Sequence, residues 1–596
     1  MHKRFLLSLP FALAFQACQS TSNQVPEDIN QFFDQAFEER LLRSPQRMTY
    51  LGMKHDYDKL DDLSEERQNE DFAIVKRQLQ ELKQYDPESL GPQEQLSYLL
   101  FEEQLKRKIA DFDFRYHNYP VNQMFGLQSS LPNFMMTMHR VDQKSDAEAY
   151  ISRLNQVDQQ FQQLINGLKK RENLGIIPPR FVFDAVIRDS QNIISGFPFD
   201  KTQAPSTIYD DFQKKVVALK LSEEETEQLL QQGQEALLNS LGPAYRSLIA
   251  YMQDLEKKAP LQGSASALPN GETFYQHELQ QYTTTNYSPE QIHQLGLAEV
   301  ARIQKEMEAI KNKVGFQGSL KDFFQFLSKN QRFYYPQTAA GREAYLKDAR
   351  AYIEAFKKRM PEAFGILPKA DIEVRAVEAY REQSAGKAFY NSPALDGSRP
   401  GIYYVNLYDL KGVPKYEMEA LAYHEGIPGH HLQLAISQEL ENLPKFRRFA
   451  GYTAYSEGWG LYSEYLPKEM DFYQDPYSDF GRLSMELWRA CRLVVDTGLH
   501  AKGWTREKAI QYLQEVTPAS DGEIVKAVER YIVMPGQATA YKIGSLKILE
   551  LRQMVKEALG ESFSLAGFHD VILRDGPLPL NVLEQKVRAW VSSEQK

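Results

Sequence analysis

Apolar residues return every three or four positions over long stretches of this chain, the spacing of a helix with one buried face. Between residues 145 and 168 the stripe runs Ile151, Leu154, Val157, Phe161, Leu164 and Leu168, and Ser145 with Glu148 forms a capping box in front of it. The Gln- and Glu-rich positions between such stripes read as solvated helix faces. A second long helix is predicted from "YSPEQIHQLGLAEVARIQKEM", where Ser288 caps, Pro289 takes the first helical position and Gln291 completes the box. Strand-like runs are confined to "DIEVRAVEAY" (371–380), where Ile372, Val374 and Ala376 alternate with polar partners, and the aromatic, β-branched "GIYYVNLYDL" (401–410), with the turn-rich "NSPALDGSRPG" between them. The expected architecture is mainly α, with a small antiparallel sheet. The run "APLQGSASALPNG" (259–271), with two prolines and two glycines, reads as a linker. It separates a helical N-terminal lobe, 28–262, from a second lobe, 272–596.

Composition narrows the function classes. The chain has 596 residues, a formal net charge of -10 and 25% charged residues, so it lacks the basic footprint of a nucleic-acid binder. Its two cysteines, Cys18 and Cys491, exclude a disulfide framework. The start, "MHKRFLLSLPFALAFQACQS", places Lys3 and Arg4 before a mostly apolar stretch from Leu6 to Phe15, with Ala17 ahead of Cys18. Residues 1–17 therefore read as a secretory signal, too short to span a bilayer as a mature helix. Ending at a cysteine, it resembles a bacterial lipoprotein signal, which implies lipidation of Cys18 and a tether over 18–27. Gln19, rather than Asp, favours the outer membrane by resemblance to enterobacterial sorting. The expected location is the periplasmic face of the envelope.

The candidate chemistry lies in "YHEGIPGHHLQ", Tyr423 to Gln433. His424 followed by Glu425 begins like the zinc-protease pattern H-E-x-x-H, in which two histidines four apart share one helix face and the glutamate acts as base. Here position 428 is proline, and the next histidines are His430 and His431. On an unbroken helix a step of six turns the side chains about 120° apart, and a step of seven adds about 10.5 Å of rise. Neither pair can share one ion. Pro428 and Gly429 supply a break: one lacks an amide hydrogen, the other tolerates dihedrals closed to other residues. A bulge over 426–429 would return His430 to the place of the second ligand. A third ligand is sought in "AYSEGWGLYSEYL", where Glu457 and Glu464 are the candidates.

Together "YHEGIPGHHLQ", "AYSEGWGLYSE", "RACRLVVDTGLH", "RYIVMPGQATAYKIG", "ALDGSRPGIYYVNL" and "YTTTNYSPEQIHQLGLAEVARI" resemble a bacterial family known as domain of unknown function 885. That family is grouped with the zinc peptidases of the glutamate-ligand type, whose relatives include thimet oligopeptidase, angiotensin-converting enzyme and dipeptidyl peptidase III. The resemblance implies a two-lobed helical metallopeptidase fold with one Zn2+ held by His424, His430 and Glu457. It favours His430 over His431, because these relatives keep Gly-His at the second ligand. Glu425 is then the general base. Tyr541, with His500 as second choice, is the expected oxyanion donor, since related peptidases place such a residue late in the chain. Asp496 and Glu464 are candidates to orient the ligating histidines. His431, Gln537, Arg399 and Tyr404 are candidates for substrate contact. Arg399 would hold a carboxylate or pair with Asp396, and Tyr404 lies in a strand that could pair with an extended peptide. The expected activity is hydrolysis of oligopeptides. The other readings are a zinc amidohydrolase acting on cell-wall or other non-peptide amides, and a lipoprotein that uses the fold as a binding scaffold.

Overall fold

The computed structural model describes residues 25–378, 382, 385–394 and 399–595; the signal segment, Cys18 and Asp396 lie outside them. The fold is mainly helical. Eight helices matter for the site: α1 (Lys144–Asn173), α2 (Gly271–Thr283), α3 (Pro289–Lys313), α4 (Lys415–Glu425), α5 (His430–Glu439), α6 (Thr453–Glu469), α7 (Pro476–Ala501) and α8 (Ala540–Leu559). No helix among the described residues is long and apolar enough to cross a membrane.

The apolar stripe of α1 is buried along its whole length. It packs with Phe212, Leu237 and Tyr245 in one core. The helix starts slightly earlier than its sequence suggests. The acid closing its first turn is Asp146, not Glu148, and its carboxylate accepts from the backbone N–H groups of Asp142 and Gln143 (2.9 and 3.1 Å). At α3 the predicted box is present: Gln291 N–H donates to Ser288 Oγ (3.3 Å), and Ser288 N–H to Gln291 Oε1 (2.9 Å).

The sheet holds three strands, β1 (Ile372–Ala376), β2 (Ala388–Asn391) and β3 (Gly401–Val405), in the order β1-β3-β2. It is mixed rather than antiparallel. β1 runs parallel to β3 with Val374 opposite Tyr403, and β2 runs antiparallel to it with Tyr390 opposite Tyr403. The strand proposed for substrate pairing is therefore the central one. Both edges of β3 are taken, all five of its residues are buried, and Tyr404 stacks on Phe389 (5.1 Å, 24°). An added strand has no free ladder there.

Around the site, α6 crosses α8 with backbones in contact. A Cβ on Gly458 would lie 2.4 Å from the Gly544 carbonyl carbon, and one on Gly544 would lie 1.8 Å from the Ala454 oxygen. Only glycine on both helices permits this approach. Behind α6, His569 is sealed in the core: its Nδ1–H donates to the Ala363 carbonyl (2.7 Å), and Nε2 accepts from the Tyr462 hydroxyl (2.7 Å). Burial holds this imidazole neutral down to about 3. The unfolded chain takes up the proton near 6.5, so stability contributed by neutral His569 is complete above that pH. It is lost as pH falls from there toward 3, by about 2 kcal/mol at pH 5. The melting temperature of the protein should accordingly fall more between pH 7 and pH 5 than that of His569→Gln; equal slopes would show that His569 does not titrate on unfolding.

Candidate metal centre

α4 ends at Glu425 and α5 begins at His430, so residues 426–429 form the break. Pro428 ends the hydrogen-bond ladder, and its carbonyl is claimed from outside the segment: Trp459 Nε1–H (2.9 Å) and Ser463 Oγ–H (3.2 Å), both on α6, donate to it. Gly429 fits because a Cβ would fall 2.0 Å from the His424 oxygen and 2.3 Å from the Tyr423 oxygen.

This break brings the imidazoles of His424 and His430 together, with ring centroids 4.7 Å apart and planes at 87°. Glu457 on α6 completes the group. Its Oε2 lies 3.7 Å from His424 Nε2 and 3.5 Å from His430 Nε2. Ligands placed tetrahedrally around zinc at about 2.0–2.2 Å are themselves about 3.3–3.5 Å apart. The three residues are thus close to the spacing that one such ion needs, and their donor atoms all lie within 4.8 Å of one another. This His-His-Glu group can hold a metal.

The surroundings favour a cation. His424 Nδ1–H donates to Glu464 Oε1 (2.7 Å), which orients the ring so that Nε2 faces Glu457. Glu464 itself is buried, with Arg489 Nη2 3.9 Å away. Burial opposes a positive charge on His424, but the carboxylates of Glu457 and Glu464 more than offset it and lift the imidazole to about 10. Burial likewise opposes the charge on Glu457, and the two histidines still hold it well below the usual carboxylate range. The Nδ1 of His430 is buried without a hydrogen-bond partner. Glu425 is buried beside this group; burial raises its carboxyl, against the pull of His424 and His430.

The other expected residues divide. Tyr541 lies on α8 one turn before Gly544, whose partner at the helix crossing is Gly458, the neighbour of Glu457. Gln537 stands just ahead of α8, its Oε1 held by Arg530 Nη2–H (2.8 Å). His431 is not part of the His-His-Glu group. It accepts from the Tyr390 hydroxyl (2.9 Å) at Nδ1 and donates to the Ala370 carbonyl (3.1 Å) from Nε2. Arg399 spends its donors on the backbone oxygens of Pro400 (3.1 Å) and Ser392 (2.7 Å). His500 has both nitrogens occupied in the core, by Ala265 N–H and the Tyr531 carbonyl (2.9 Å each). Asp496 accepts at Oδ1 from the Tyr275 hydroxyl (2.7 Å) and Gly536 N–H (3.0 Å), not from a ligating histidine.

Gly460 was not singled out from sequence, yet a Cβ there would meet the His424 ring at 2.8 Å. The signal was available: in "EGWG" one glycine lies a single residue, and the other three residues, beyond the candidate ligand Glu457.

The profile of a family described as "Bacterial protein of unknown function (DUF885)" matches residues 45–587. The chain belongs to this family. Two solved structures share its fold, each named "putative lipoprotein". The one from Colwellia psychrerythraea is 32% identical, with a TM-score of 0.89 over 95% of this chain and 99% of that chain. The one from Shewanella oneidensis, of unknown function, is 20% identical, with a TM-score of 0.74 over 94% of this chain and 99% of that chain. Pz peptidase A with an inhibitor is 11% identical to this chain, with a TM-score of 0.27 over 87% of this chain and 97% of that chain, too remote to bear on function. No curated protein matches the chain.

Proposed function

We propose that this DUF885 member is a zinc-dependent peptidase that hydrolyses oligopeptides. The observation that carries the reading is the His424–His430–Glu457 group with Glu425 buried beside it, because a mere cation store has no need of a further carboxylate next to its ligands. His424, His430 and Glu457 would hold Zn2+, which supplies Lewis acidity to a carbonyl and to water. Glu464 keeps His424 in its ligating tautomer. Glu425 accepts a proton from the attacking water and delivers it to the departing amine. Tyr541 donates its hydroxyl proton in a hydrogen bond to the oxygen on which negative charge develops.

The lipoprotein names of the two structural relatives and the sequence before Cys18 support an exported, lipid-anchored protein. Metal analysis tests the reading most directly. The purified protein should carry about one zinc per chain, and chelation should abolish cleavage of short peptides until zinc is returned. A metal-free protein, or cleavage that survives chelation, would overturn it.

A further inference from the structure

One buried charge on α7 takes no part in the metal centre. Arg492 is 9% exposed. Its Nε–H and Nη1–H groups have no acceptor, and among the described residues it pairs with no carboxylate. Its guanidinium carbon sits 4.3 Å over the ring of Tyr541, and its neighbours are the side chains of Tyr541 and Tyr531. The Tyr531 hydroxyl, also buried, faces Arg492 and makes no well-formed hydrogen bond. Asp496, one turn further along α7, is engaged by Tyr275 and Gly536 instead. Burial raises the Asp496 carboxyl to about 7, which removes much of its charge as a counter-ion near neutral pH.

Burying a guanidinium without an anion carries a desolvation penalty of several kcal/mol. Such a group, stacked on the Tyr541 ring and facing the Tyr531 hydroxyl, matches a ligand that brings oxygen atoms and negative charge. Its position says where on a substrate that charge belongs. Arg489, three residues earlier on α7, faces Glu464, which in turn holds His424. Arg492 lies about 4.5 Å further along the helix axis. An extended peptide advances about 3.3–3.6 Å per residue.

We infer that Arg492, with the Tyr531 hydroxyl beside it, binds a substrate carboxylate one or two residues beyond the scissile bond. This rests on the peptidase reading and deepens it: the enzyme would select short peptides by an acidic end or an acidic side chain near that end. A guanidinium fork suits a carboxylate because two parallel N–H bonds reach both oxygens.

Binding to the full-length, zinc-loaded Glu425→Gln protein separates this inference from catalysis. Three probes are titrated by calorimetry: tetra-alanine as the free acid, its C-terminal amide, and Ala-Ala-Glu-Ala amide. At least one carboxylate-bearing probe should bind about tenfold or more tighter than tetra-alanine amide. Preference for the free acid assigns the contact to the chain terminus, and preference for the glutamate peptide assigns it to a side chain. Adding Arg492→Gln should remove the preference and leave affinity for the amide unchanged. Arg492→Lys, which keeps the charge but not the fork, should retain part of it and guards against misfolding as the cause. Equal binding of all three probes, binding of none, or a preference that survives Arg492→Gln would overturn the inference. Failure of the peptidase reading is seen separately, as wild-type protein that prefers the acid yet cleaves none of the peptides.

Discussion

Glu425→Gln should lower peptide hydrolysis by about 10²–10⁴-fold while leaving zinc content unchanged. Glutamine fills the same space at the end of α4 and retains a carbonyl oxygen, but it cannot take a proton from water. The His-His-Glu group does not include Glu425, so the metal should stay. The buried position of the carboxyl makes the exchange clean. Burial already works against its charge, so removing that charge should not destabilise the chain through a lost surface ion pair. Activity and bound zinc are measured on the same preparation. Full activity in the variant would remove Glu425 from the chemistry, and loss of zinc would give it a part in holding the metal.

Gly429→Ala should damage the centre without touching a ligand. The added methyl would lie 2.0 Å from the His424 oxygen and 2.3 Å from the Tyr423 oxygen, and backbone cannot move aside as a side-chain tip can. Relief requires the end of α4 and the start of α5 to separate, which moves His424 relative to His430. The expected outcome is a loss of about 1–3 kcal/mol of stability and a fall of about 10–100-fold in zinc affinity. Competition with a chelator and thermal unfolding read these two effects. Gly451→Ala, where an added methyl meets nothing within 4 Å, is the control and should change neither. Wild-type affinity in Gly429→Ala would mean that the break is not what sets the distance between the histidines.

Much of this architecture is local and could be read from sequence. The buried stripe of α1, the box at Ser288 and the stop at Pro428–Gly429 are each decided within a few residues. What sequence did not disclose depends on partners far along the chain. "GIYYV" looks the same as an edge strand or a central one, and only the arrival of β1 and β2 on its two sides makes it central. β2 itself is four residues long, too short to announce itself by alternation. His500 resembles a donor in one dimension, but Ala265 and Tyr531, 235 and 31 residues away, use up its nitrogens. Arg492 shows the reverse case: an acid one turn away suggests an ion pair, and the fold turns that acid toward Gly536.

The bond from Trp459 to the Pro428 carbonyl has a consequence for how the centre is assembled. It fastens the segment between His424 and His430 to the very helix that carries Glu457, and it does so with protein atoms alone. The three donors are therefore brought near one another by the folding of the helices themselves. The affinity of an ion bound there should then reflect coordination chemistry rather than the ordering of loose chain.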